Sequence, residues 1–146
     1  MQFHWNRMEL PGINNLVYGN GILTILNIYS VSSDDGKKYY AFPVADTTIE
    51  SIEHYNDDVW TEIQPHPNSI STDQFKLSFG EGSMGNEGFI AMENNEGLVW
   101  ALFSTESNPF INVELTDDSI LAYSDFLVYK VDIKDPKKIT IERRNM

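Results

Sequence analysis

From Gln74 to the end of the chain one pattern recurs: a short run rich in β-branched and aromatic residues, then a turn. Gln74 to Phe79 alternates, with Phe75, Leu77 and Phe79 on one face. Gly88 to Glu93 and Leu98 to Phe103 flank Asn94-Asn95-Glu96-Gly97. Phe110 to Leu115 and Ser119 to Tyr123 flank Thr116-Asp117-Asp118. Phe126 to Ile133 and Lys138 to Glu142 flank Asp135-Pro136. Many short strands joined by close turns restrict the chain to a mainly β fold. The expected architectures are an antiparallel sandwich, a barrel or a strongly curled meander.

The first half carries a longer β signal. Ile22 to Val31 is apolar on both faces, as in a central strand covered on both sides. Ser33-Asp34-Asp35-Gly36 supplies a turn with glycine where positive φ is needed, and Lys38 to Val44 returns as a hairpin partner. Pro43 cannot donate to a ladder, so that strand is expected to end there or lie at an edge. Over 47–56 two readings compete. Ile49, Ile52, Val59 and Ile63 roughly fit a helical stripe, and Thr47-x-x-Glu50 matches a capping box. The β-branched content and Asn56-Asp57-Asp58 favour two short strands. A short helix or irregular excursion over 47–56 is preferred. Gln64-Pro65-His66-Pro67-Asn68 reads as a loop with an exposed histidine. No linker or repeat divides residues 1–146, which read as a single β-rich domain of ordinary size.

The charge is unevenly placed. The chain carries −12, yet Val44 to Tyr129 holds sixteen carboxylates against Lys76 alone, a segment of −15. The other basic residues sit near the ends, at Arg7, Lys37 and Lys38, then from Lys130 to Arg144. Such a field repels nucleic acid and anionic membrane and attracts basic partners. With no cysteine, disulfides, thiolate metal sites and cysteine nucleophiles are excluded. The N-terminus lacks a signal-peptide pattern, and Gly21 to Val31 is too short to span a bilayer, so a cytoplasmic protein is expected.

Chemistry-bearing motifs are sparse. Gly80-x-Gly82-x-x-Gly85 matches a dinucleotide fingerprint in spacing, but no helix pattern opens after it, and Glu81 and Glu87 would repel a phosphate. His4, His54 and His66 have no zinc-ligand spacing; Glu50 and His54 would form a surface pair one helical turn apart. Asp57-Asp58 and Asp117-Asp118 read as solvated turns lacking a calcium-loop pattern. Ser83 lacks a nucleophile elbow, because Glu81 stands where glycine is needed. These readings predict no enzyme, no metal and no cofactor. Trp100 is expected in the core; Trp60, beside Asp57 and Asp58, either anchors a partner or caps the core.

The size, acidity, lack of cysteine and C-terminal meander together resemble bacterial immunity proteins of contact-dependent inhibition and other polymorphic-toxin systems. The meander comprises Gly88-Phe89-Ile90-Ala91-Met92-Glu93, Gly97 to Phe103, Pro109 to Leu115, Tyr129 to Ile133 and Ile139-Thr140-Ile141. The resemblance implies a cytoplasmic, non-catalytic protein that blocks the active site of a cognate toxin, often a nuclease. Nuclease toxins are commonly basic, which matches an acidic inhibitor. The lopsided charge places the expected contacts at Glu50, Glu53, Asp57, Asp58, Trp60, Glu62, Asp117 and Asp118. Two alternatives stand beside this reading. A carbohydrate- or small-ligand-binding β-sandwich would expose Trp5 or Trp60 beside a concavity. A carboxylate-dependent hydrolase would need two carboxyls across a cleft, one with a raised pKa. The oligomeric state stays open at this level.

Overall fold

The computed structural model describes residues 1–145. Two short helices, α1 (Gln2–Asn6) and α2 (Ile49–Tyr55), accompany fourteen strands. The first half holds β1 (Glu9–Pro11), β2 (Asn15–Tyr18), β3 (Ile22–Ser33), β4 (Gly36–Thr48), β5 (Trp60–Glu62), β6 (Gln64–Pro65) and β7 (Ile70–Ser71). The second half holds β8 (Lys76–Glu81), β9 (Gly88–Asn94), β10 (Gly97–Ser104), β11 (Asn112–Leu115), β12 (Ser119–Tyr123), β13 (Leu127–Asp132) and β14 (Ile139–Arg143).

Twelve strands form one antiparallel sheet in the order β11-β12-β13-β14-β4-β3-β2-β10-β9-β8-β6, with β7 also on β8. Its two ends come together. Phe110, just before β11, donates its N–H to the carbonyl of Gly80 in β8 at 3.1 Å, and its ring is buried in the enclosed core against Tyr129. The sheet is therefore strongly curled and nearly closed, which shields most strand edges.

Period-two alternation decides which face of each strand is buried, and β2, β3, β9 and β10 are divided between two cores. Leu16, Leu26, Ile28, Leu77, Phe79, Ile90, Trp100, Leu102, Ile120, Tyr129 and Val131 fill the interior. Residues of opposite parity on the β2, β3, β9 and β10 side, namely Val17, Leu23, Phe89, Ala91, Ala101 and Phe103, form an outer core. That outer face is covered by Trp5 of α1, Leu10 of β1, Ile49 and Ile52 of α2, and Ile63. β1 and β5 make a separate two-stranded ribbon, with Pro11 opposite Trp60 and Glu9 opposite Glu62. Inside the closed half, the Tyr129 hydroxyl lies 2.9 Å from Ser104 Oγ, and burial pushes its pKa up.

Most of the β grammar is realised, including the hairpin turns closed by Gly36 (φ 107°) and Gly97 (φ 119°). Four expectations change. β4 runs through Pro43 to Thr48, because a bulge at Val44 absorbs one extra residue between Ile25↔Ala45 and Leu26↔Pro43. The neighbouring β14 pairs with β4 only at Ile141↔Tyr39, so the missing N–H of Pro43 interrupts no ladder. The helix over 47–56 forms, but its cap is Thr48, whose hydroxyl accepts from Ser51 N at 3.1 Å; Thr47 still belongs to β4. Val59 and Ile63 are buried, yet they flank β5 and do not continue the helical stripe. His66 is half-buried, its ring stacked on Phe79 at 5.2 Å and its N–H bonded to the Phe79 carbonyl.

Gly80 marks the closure. A Cβ there would land on the Gln64 carbonyl oxygen and crowd His66 N and Pro65 Cα. Gly80→Ala must push β6 off β8 next to the Phe110 contact. The expected loss is about 1–3 kcal/mol in urea unfolding; unchanged stability would show that β6 and the seam are not packed as described.

Candidate functional site

The acidic excursion between β4 and β6 is built from local rules. Thr48 caps α2, Ile49 and Ile52 turn inward, and the opposite face is left to charge. Asn56 then ends the helix in an extended conformation, and its side chain accepts from Asp58 N at 3.1 Å, shaping the turn into β5. Glu50, Asp57, Asp58 and Glu62 are exposed and Glu53 is half-buried. Ser83 Oγ holds the excursion to the 82–87 loop, donating to the Glu62 carbonyl and accepting from the Thr61 hydroxyl.

These five carboxylates carry no internal neutralisation. Among the described residues the ion pairs both belong to Glu9, with His4 Nδ1 at 2.9 Å and Arg7 Nε at 3.6 Å. Their placement has a local cause: Glu9 faces Glu62 across the β1–β5 ribbon, and directly opposed like charges destabilise a sheet. His4 and Arg7 offset that repulsion on the Glu9 side and leave Glu62 free.

Trp60 is half-buried rather than presented to solvent. The imidazole of His4 covers one face of its indole, with centroids 3.5 Å apart and planes 4° from parallel. Its Nε1 is buried with no hydrogen-bond partner among the described residues. The fully presented aromatic in this region is Tyr55, the last residue of α2, 85% exposed beside His54 at 5.3 Å. Sequence reasoning passed over Tyr55; the signal available was its place between the helical stripe and the Asn56-Asp57-Asp58 turn.

Asp117 and Asp118 belong elsewhere. They sit in the β11–β12 turn, and Asp118 lines a cleft of about 590 Å³ between β4 and β14, with Phe42, Pro43, Lys130 and Asp132. Hydrogen bonds from Ser119 and then Thr116 hold the Asp118 carboxyl below its ordinary pKa, helped by the Lys130 ammonium. No hydrogen bond or cleft among the described residues joins this pair to the excursion. The eight residues read together from the sequence thus divide into two groups on different elements.

The remaining motifs find structural roles. Gly80 to Gly85 spans the end of β8 and a hairpin loop, and Glu87 folds back so that Oε1 accepts from Met84 N. Glu50 and His54 share the solvent face of α2 without a bond between them. Trp5 and Trp100 are both buried, so the sugar-binding alternative loses Trp5 as a platform and keeps only the covered ring of Trp60. No three His, Asp or Glu side chains converge among the described residues, and no helix is long and apolar enough to cross a membrane. Against known proteins, the chain matches no protein-family model, no curated protein and no solved structure.

Two outcomes follow from these contacts. Trp60→Phe keeps the stacked ring and removes an unpaired buried donor, so it should cost less than about 1 kcal/mol, whereas Trp60→Ala should cost about 3–5 kcal/mol in chemical denaturation. A larger loss for the phenylalanine variant would mean that the indole N–H has a partner. Because the Asp118 pKa is depressed by folding, its contribution is present above the unfolded value and is lost as pH falls through the folded one. Carboxyl titration by NMR should give a midpoint below the ordinary aspartate value, and Ser119→Ala should raise it; an unmoved midpoint would remove Ser119 as the cause.

Proposed function

We propose that this protein is a non-catalytic immunity protein that binds a basic toxin domain through the 49–62 excursion and occludes its active site. The supporting observation is the set of five carboxylates on α2, β5 and the turn between them that forms no ion pair among the described residues, with Tyr55 exposed beside them. Interfaces place aromatic anchors at the centre and charge at the rim. Here Tyr55 is the anchor, and Glu50, Glu53, Asp57, Asp58 and Glu62 form the rim. Trp60 acts from beneath, as the rigid support that fixes β5 against α1. Carboxylates held apart from any internal partner steer a basic protein during encounter and reject acidic ones. Asp117 and Asp118, on a different element, are left outside the contact.

The test is co-expression with the product of the neighbouring gene, read as rescue of growth and as a stable complex on purification. Tyr55→Ala should weaken binding by about 2 kcal/mol, in the range of an interface anchor. Reversing Glu50, Glu53, Asp57 and Asp58 to lysine should weaken it further and flatten its salt dependence. If the reversed variant still rescued growth and bound with the same salt slope, the excursion would not be the contact surface.

A further inference from the structure

At the tip of the β3–β4 hairpin, the opposite end of β4 from the acidic excursion, the charge changes sign. β3 and β4 remain paired with each other out to Ser33↔Gly36, while β14 pairs with β4 only at Tyr39 and β2 leaves β3 at Ile25. The tip of the hairpin therefore projects as a two-stranded ribbon beyond its neighbours. Between that ribbon and the rim formed by β13 and β14 lies a cleft of about 480 Å³. Its size is that of a small-molecule site, at a barrel mouth where such sites recur.

Three cations line this cleft, Lys37 from the ribbon and Arg143 and Arg144 from the end of β14, against one carboxylate, Glu106. They come together because antiparallel pairing of β14 with β4 brings the last strand beside the hairpin. Arg144 is already positioned: Nη1 donates to the Ser124 carbonyl at 2.6 Å, and its guanidinium lies over the Tyr123 ring at 5.2 Å. Arg143 reaches across to Gly36, where an added Cβ would sit 2.9 Å from Nη1. Neither Lys37 nor Arg143 has an ion-pair partner among the described residues. The nearby Asp125 is engaged by Asn108 and by the N–H of Phe126, and Asp34 and Asp35 stay in the exposed hairpin turn. Beside the cations, Phe126 is 59% exposed on the rim and Tyr39 is half-buried in the wall.

Cations on so acidic a protein have many possible internal partners; the fold sets them around a cavity instead. We infer that this cleft binds a small organic anion: a phosphate or carboxylate between Lys37 and the guanidinium groups, with an attached apolar ring against Phe126. A fixed guanidinium presents a planar fork that suits both head groups, and a lysine adds a point charge. This site is independent of the toxin-binding reading, because it shares no residue with the 49–62 excursion.

The experiment uses the whole protein at low salt and four probes: phenyl phosphate, benzoate, inorganic phosphate and phenol. Binding is followed by amide chemical shifts and by calorimetry. Phenyl phosphate or benzoate should shift Lys37, Tyr39, Phe126 and Arg143 saturably, and the tighter of the two identifies the head group. That probe should bind at least about tenfold more tightly than phenol or inorganic phosphate, a gap of about 1.4 kcal/mol. Lys37→Gln with Arg143→Gln should weaken it by about tenfold or more with little change in the thermal midpoint, since neither side chain makes an ion pair among the described residues and Arg143 only rests against Gly36. Phe126→Ala should erase the preference for the ring-bearing anion over inorganic phosphate. Shifts scattered over the surface without saturation, or equal binding by the double variant, would overturn the assignment.

Discussion

Everything in this molecule follows from strands that are apolar on both faces. β2, β3, β9 and β10 send Leu16, Leu26, Ile90 and Leu102 one way and Val17, Leu23, Phe89, Ala101 and Phe103 the other. Such a sheet cannot leave either face in water, since each large side chain left exposed forfeits about 1.5–3 kcal/mol. Curling encloses the first face, and the Phe110–Gly80 contact brings the ends of the curl together. The second face needs separate cover, supplied by α1, the β1–β5 ribbon and α2. The excursion between β4 and β6 is thus first a lid on the outer core. Its charged side is what remains once Ile49, Ile52, Val59 and Ile63 have turned inward.

That origin explains why the acidic residues form no ion pair among the described residues. A short helix held by two isoleucines and a threonine cap needs no ion pairs, and its solvent face is free to carry any charge. Where like charges are forced together, at Glu9 opposite Glu62, the chain brings in His4 and Arg7, and His4 covers Trp60 in the same step. At the far end of β3 and β4 the reverse holds. The ribbon outruns its neighbours, so Lys37 and Arg143 border open space.

Much of the fold was legible in the chain because its strands obey local rules. The meander after Gln74, the turns at Gly36 and Gly97, the core position of Trp100 and the helix after Thr48 are each set by residues within one element. The elements that escaped are those whose existence is non-local. β2 is only four residues long and gains its identity by pairing with β10 and β3. α1 is five residues long and is held by Trp5 in the outer core and by Gln2, whose side chain accepts from Leu98 N. β4 runs past Pro43 because its neighbour has already withdrawn, a fact about β14 rather than about Pro43. In the excursion, the acids could be read from composition, but the covering of Trp60 could not, because His4, more than fifty residues away, lies on the indole.

The sequence by itself determined the mainly β class, the lopsided charge and the absence of any thiol chemistry, since each is a property of composition or of period-two patterning. Tertiary structure decided which charges share a surface. It separated Asp117 and Asp118 from the 49–62 carboxylates and gathered Lys37, Arg143 and Arg144 around one cleft. The physical reason is the antiparallel order of the sheet. It places the last strand beside the first long hairpin, and no local rule in either segment contains that neighbour.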